Sequence, residues 1–250
     1  SKYDKKMEII EKIIFFIFLF LIFLNVNGQM EEKYLLGKID PQNDSNFVLV
    51  DKKFTENGKE IYLRKEVYDA FKKMYEAAQN DGITLIIVSG FRSYEYQKKL
   101  WEDKWFGYTA VNNEDLYLTI PDDFERTKEI LKYTAMPGTS RHHWGTDIDL
   151  NSVEPSYFKT DEGKKIYEWL QKNADNYGFC EPYTSFDKDR PDGYQPEPWH
   201  WSYYPLARKL LDEYQKTIKF FMMIDFAGYE YFDKLEIINK YVLGINPKCF

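Results

Sequence analysis

Three histidines occur in the whole chain, His142, His143 and His200. All fall in two short segments rich in polar and aromatic residues. The first runs Pro137-Gly138-Thr139-Ser140-Arg141-His142-His143-Trp144-Gly145-Thr146-Asp147-Ile148-Asp149, and the second is Glu197-Pro198-Trp199-His200. Two imidazoles and one carboxylate make a three-ligand zinc site whose fourth position is open to water. A further carboxylate near that water can act as general base, because zinc brings the water's pKa to about 7. A lone histidine is ordinarily a hydrogen-bonded structural residue; the confinement of all three to two such segments is what points to a metal. With two cysteines and no Cys-x-x-Cys, a thiolate zinc finger is excluded, so any transition metal must be held by histidine and carboxylate.

The elements that must carry these segments read as an interleaved pattern in one domain, without internal repeats. From Arg64 to Asp81 the apolar positions Val67, Ala70, Phe71, Met74 and Ala78 recur at three and four, which predicts a helix stopped by Gly82. Ile83 to Val88 reads as a buried strand broken by Ser89-Gly90, after which Ser93 caps a helix from Tyr94 to about Trp105. Asp122-Asp123 opens a helix expected to stop near Met136-Pro137-Gly138. Thr146 to Leu150 alternates as a strand, placing Asp147 and Asp149 on one face. Asp161 to Tyr177 reads as a helix between Thr160 and Gly178. Pro205 suits the first turn of another, through about Lys216. Residues 217–250 read as a C-terminal helical extension packed on the domain, Lys234 to Val242 being its clearest part. The predicted class is α+β, a small antiparallel sheet flanked by helices.

Composition bounds the rest. At 250 residues, 44% hydrophobic and 18% aromatic, the chain buries a real core and is neither disordered nor collagen-like. Its net charge is −7, spread along the sequence with no basic tract of five or more, which argues against a nucleic-acid partner. Ile13 to Leu24 is an unbroken run of Ile, Phe and Leu. Twelve helical residues reach only about 18 Å, short of a bilayer's roughly 30 Å hydrocarbon core. Val26-Asn27-Gly28 then supplies small residues at the spacing of a signal-peptidase site. A cleaved secretory signal over residues 1–28 is therefore expected, with an uncleaved membrane anchor as the alternative. The product would lie in the periplasm or cell envelope, with no stable membrane insertion after cleavage.

Taken together, the segments are similar to the VanY-like D-alanyl-D-alanine carboxypeptidases, zinc peptidases of the hedgehog/DD-peptidase fold. That family carries Ser-x-His-x-x-Gly-x-x-x-Asp, then Glu-x-Trp-His, preceded by Ser-Gly-Tyr-Arg-Ser. Here the matches are Ser140, His142, Gly145 and Asp149, then Glu197, Trp199 and His200, preceded by Ser89-Gly90-Phe91-Arg92-Ser93. Tyr94 to Gln97 continues the likeness, which spans roughly residues 83 to 205 in the family's order. The resemblance implies a zinc carboxypeptidase domain over 29–216 holding one Zn2+ per chain on His142, Asp149 and His200. Glu197 would be the general base for a zinc-bound water, and Arg92 would stabilise the oxyanion or hold a substrate carboxylate. Gln97 and Ser140 would be lesser substrate contacts. The implied substrate is the peptidoglycan stem peptide, losing its terminal D-Ala, and the implied state is a monomer. An L,D-carboxypeptidase, a cross-link endopeptidase and a non-catalytic zinc-loaded binding module are the alternatives.

Two departures stand out. Phe91 replaces the usual Tyr, and Asp147 stands where the family usually has Ala. Asp147 could reach behind the ligands or compete as one, so His143 and Asp147 form the runner-up pair. Glu197 and His200, three apart, would face opposite sides of an ideal strand; a bend at Pro198 is needed to bring both to one cavity. Export also permits a disulfide between Cys180 and Cys249, which would tie the C-terminal extension to the zinc domain. The alternative is a buried thiol at 180 and a loose one at 249.

Overall fold

The alternation Asp147-Ile148-Asp149-Leu150 becomes a fully buried strand, β4 (Asp147–Leu150), inside a four-stranded antiparallel sheet. A computed structural model describes residues 32–250 of the chain; the leader expected at 1–28 lies outside them. The other strands of this sheet are β3 (Ile87–Ser89), β5 (Phe179–Cys180) and β6 (His200–Tyr203), in the order β3-β4-β6-β5. Register places Asp147 opposite Ser202, Ile148 opposite Trp201, and Asp149 opposite His200. Because side chains alternate along a strand, the two faces differ completely. One presents Ile148, Leu150 and Trp201, and the other presents Asp147, Asp149, His200 and Ser202.

The apolar face is covered by two amphipathic helices, α1 (Lys65–Asn80) and α5 (Asp161–Asn173). Val67, Phe71 and Met74 of the first and Ile166 and Leu170 of the second join Ile87, Ile148, Leu150, Phe179 and Trp201 in one apolar cluster. A small hairpin, β1 (Phe47–Leu49) with β2 (Tyr62–Arg64), adds Leu63 to that cluster; the sequence reading passed over it. The helix α2 (Tyr94–Trp105) begins at Ser93, whose side chain accepts from the Tyr96 N–H. A single turn, α3 (Leu116–Thr119), precedes α4 (Asp123–Leu131), and α6 (Tyr204–Thr217) carries Pro205 in its first turn. The α+β class with a small antiparallel sheet flanked by helices is the observed architecture.

Three expected elements are shorter than the sequence suggests. The strand expected over 83–88 pairs only from Ile87; ahead of it the Asn151 side chain accepts from the Ile86 N–H and donates to the Thr84 carbonyl, replacing a ladder. Helix α4 ends at Leu131 instead of near 136. The carbonyl of Lys132 accepts from Gln195 N–H and that of Ala135 from the Gln97 side chain, which draws the chain away from the helix axis. Between 161 and 177 the helix is regular only to Asn173; a 3₁₀ turn finishes it, and Gly178 at φ 83° closes it.

Residues 217–250 carry no regular helix beyond the end of α6. They fold as 3₁₀ turns at 220–222, 229–231 and 247–249 and one π turn, Ile238–Val242. The helix expected from Lys234 is interrupted at Glu236, which sits at φ 52°. The segment is held by burial: Met223, Phe226, Phe232, Ile237, Val242 and Ile245 share a second apolar cluster with Leu35, Tyr94, Trp101, Trp144 and Tyr214. Cys180 and Cys249 are bridged, with Cα atoms 5.7 Å apart. Since 69 residues separate them, the closed loop stabilises the fold by about 4 kcal/mol in the chain-entropy account.

Candidate metal centre and cleft

The polar face of the sheet is the place where the two histidine segments meet. Ser140 opens the first: its side chain accepts from the His142 N–H and starts a 3₁₀ turn over Arg141–Trp144, which Gly145 ends in the left-handed region at φ 67°. The preceding loop is pinned from the second cluster. Tyr214 donates to the Gly138 carbonyl at 2.8 Å, and a Cβ at Gly138, which lies at φ 84°, would collide with Met223. His142 is thereby presented to β4. Glu197 and His200 arrive together because the His200 N–H donates to the Glu197 carbonyl at 3.0 Å. This turn takes them off an ideal strand, as the proline between them requires.

Three ligand atoms, one each from His142, Asp149 and His200, lie within 4.8 Å of one another, all on buried residues. The His142 Nδ1–H donates to the Gly90 carbonyl at 2.8 Å, which leaves the Nε2 lone pair facing Asp149 Oδ1 at 3.4 Å. His200 Nδ1 lies 3.5 Å from the same oxygen. Both His142 Nε2 and Asp149 Oδ1 are buried without a hydrogen-bond partner. Orphaned buried acceptors are costly, and two imidazole nitrogens with a carboxylate oxygen are the donor set zinc takes; the residues fit the metal.

The electrostatics follow from burial acting against neighbouring charge. For Asp149, burial opposes ionisation, but His142, His200 and Arg92 hold the carboxyl down to about 2. Burial likewise opposes charge on His200, yet hydrogen bonds to Asp147 and Glu197 and the charge of Asp149 raise it to about 9. Burial and Arg92 push His142 the other way, below the usual histidine value. The pocket thus favours a cation among its carboxylates.

The runner-up pair does not enter this cluster. His143 is fully buried with both ring nitrogens used by backbone: Nδ1–H donates to the Arg92 carbonyl at 2.7 Å, and Nε2 accepts from Gly138 N–H at 3.1 Å. Burial lowers its pKa to about 3, a neutral structural histidine. Asp147 reaches the far nitrogen of His200, its Oδ1 lying 3.0 Å from Nε2. It is therefore on the opposite edge of that ring from the ligand cluster.

A cleft of about 370 Å³ opens onto the cluster, its wall including Arg92, Lys104, Asp149, Glu197, Tyr183 and His200. Glu197 Oε2 is 3.0 Å from His200 Nδ1 and Arg92 Nη2 is 3.7 Å from Asp149 Oδ2. Gln97 and Ser140 are buried and absent from that wall. Gln97 accepts from Arg92 Nη1 at 3.2 Å and donates to the Ala135 carbonyl at 2.8 Å, so its observed task is to hold Arg92. Three groups escaped the sequence reading. Lys104, at one heptad from Gln97 on α2, enters the cleft and donates to Thr134. Arg141 and Ser202 contact one another behind His200; strand alternation from His200 to Ser202 was the available signal.

A family model described as VanY, D-alanyl-D-alanine carboxypeptidase, matches residues 60–206, more than half of the chain. The Bacillus subtilis (strain 168) protein YodJ, provisionally named a carboxypeptidase, is 30% identical over 86% of this chain and 69% of its own length. A D-alanyl-D-alanine carboxypeptidase of Enterococcus faecalis is 30% identical over 65% of this chain and 58% of its own length. Among solved structures, the LdcB LD-carboxypeptidase aligns with a TM-score of 0.50 and 28% identity, covering 79% of this chain and 80% of that one. The family match spans the strands and turns that bring His142, Asp149, Glu197 and His200 together, and the chain belongs to the VanY family of D-alanyl-D-alanine carboxypeptidases.

Proposed function

We propose that the chain is an exported zinc metallocarboxypeptidase that removes the terminal D-Ala from peptidoglycan stem peptides ending in D-Ala-D-Ala. The observation that carries this is the convergence of His142 Nε2, Asp149 Oδ1 and His200 Nδ1, two of them otherwise unpartnered, beneath a cleft that also presents Glu197 and Arg92. His142, Asp149 and His200 would hold one zinc ion. When bound, zinc supplies Lewis-acid polarisation of the scissile carbonyl and makes water acidic enough to act as a nucleophile at neutral pH. Glu197, its carboxylate beside His200 on the cleft wall, takes the proton of the attacking water and returns it to the leaving amine. Arg92 meets the developing oxyanion or the substrate's carboxylate with a planar guanidinium that Gln97 holds in place. Relatives named D-alanyl-D-alanine carboxypeptidase support the D,D bond.

A second reading, L,D-carboxypeptidase activity, is favoured by the likeness to the LdcB LD-carboxypeptidase. Mass spectrometry of muropeptides incubated with zinc-loaded protein separates the readings. Loss of one alanine from pentapeptides is the expected result. Loss from tetrapeptides alone would move the assignment to the L,D bond, and no change in either would contradict a carboxypeptidase.

A further inference from the structure

Asp147 is the residue by which this chain departs from its family's metal motif, and it is fully buried. Its Oδ1 accepts from Arg141 Nε at 2.9 Å and faces His200 Nε2 at 3.0 Å, while its Oδ2 accepts from Thr146 Oγ1 at 2.6 Å. Arg141 is itself buried and donates through Nη2 to Ser202 Oγ at 2.6 Å, and Ser202 is the cross-strand neighbour of Asp147. The His200 ring is packed edge-on against Tyr183 and His142, with centroids 4.8 and 4.7 Å away. Glu197 Oε2 lies equally close to Nδ1, at 3.0 Å, so a carboxylate accepts at each ring nitrogen. A metal held with Asp149 and His142 would take the place of the Nδ1 hydrogen, and Asp147 would keep the remaining one on Nε2.

We propose that Asp147 is a positioning residue for the metal centre, one that fixes the tautomer and ring orientation of His200 while the buried Arg141 holds the carboxylate in place. This rests on the reading of His142, Asp149 and His200 as zinc ligands. Arg141 and Thr146 each hold one oxygen of the carboxylate and Ser202 holds Arg141 in turn, so the constraint on His200 is a rigid one rather than a surface contact. A carboxylate behind a ligating histidine raises its basicity and removes ring freedom, and its loss costs about 10- to 100-fold in metal affinity.

The test separates this role from plain charge balance. Asp147→Ala leaves Arg141 buried and unpaired, so a loss of stability is built into that variant. The double variant Asp147→Ala with Arg141→Met removes both charges and restores that balance. Zinc affinity is read by competition with a chelating dye, and the ligand field by the visible absorption of the cobalt-substituted protein. Thermal unfolding of the metal-free chain reports folding. The expected result is that the double variant regains stability yet binds zinc about 10- to 100-fold more weakly than the parent, with a cobalt spectrum of unchanged ligand number. Recovery of zinc affinity along with stability would overturn the proposal, leaving Asp147 as the partner of Arg141 alone. A cobalt spectrum showing one ligand fewer would overturn it too, since Asp147 would then be a ligand. Asp149→Ala is the control: if that variant keeps zinc, it is the ligand assignment that fails.

Discussion

The two faces of the central sheet come from the same strands and differ in everything that matters for function. On one face Ile148, Leu150 and Trp201 pack with α1 and α5 in a cluster where many residues share the burial. On the other, Asp147, Asp149, His200 and Ser202 are equally buried but polar, and each has one geometry that satisfies it. The apolar face tolerates loss by degrees because hydrophobic burial is non-directional. The polar face does not, because a buried carboxylate or imidazole deprived of its partner carries the full desolvation cost. Stability therefore resides chiefly on one side and chemistry on the other, and substitutions should separate the two.

The largest expected effect is on the polar face. Asp149→Ala should lower zinc affinity by more than about 100-fold, beyond what loss of a merely supporting group costs, as read by chelator competition. Glu197→Gln should retain zinc and lose about a hundred- to ten-thousand-fold in kcat/KM on a D-Ala-D-Ala peptide; near-parental turnover would remove Glu197 from the chemistry. The contrasting effects are on stability. Cys249→Ser should cost about 4 kcal/mol in urea unfolding through the freed loop, with zinc affinity unchanged within a few-fold. Leu150→Ala should cost about 2–5 kcal/mol, again with zinc retained. A Leu150→Ala protein that folds but cannot bind zinc would erase the separation between the faces.

The smallest effect depends on pH. Glu181, buried next to the disulfide, is pushed up to about 7 by burial, while the Tyr167 hydroxyl donates to it at 2.8 Å. Its folded-state pKa exceeds its unfolded value, so its contribution to stability is present below about pH 4.5 and is lost as pH rises through about 7. Glu181→Gln should remove this dependence, gaining on the parent by up to about 3 kcal/mol between pH 4.5 and 8. Parallel pH profiles for the two proteins would contradict it.

The polar face was largely legible in the sequence because its residues are local to two motifs. Ser140 and Gly145 set the register of His142 against Asp149, and the structure brings those two and His200 into one cluster. For Asp147 the sequence left two readings open, behind the ligands or among them, since alternation gives the face on which a side chain lies but not the nitrogen it will meet on the next strand. Long amphipathic helices were readable for a similar reason: α1 and α2 fall within a residue of their expected bounds. The β1–β2 hairpin, with three residues a strand, offers too few positions for alternation to register. Residues 217–250 were misread as helical because their conformation is set by tertiary burial and the bridge to Cys180, neither of which leaves a period in the sequence.

Anomalous diffraction at the zinc edge from zinc-soaked crystals tests the central claim most directly. The account predicts a single peak bonded to His142 Nε2, an Asp149 carboxylate oxygen and His200 Nδ1 at about 2.0–2.2 Å, with Asp147 still hydrogen-bonded to His200 Nε2. A peak ligated by His143 or Asp147, or by His200 through Nε2, would contradict it.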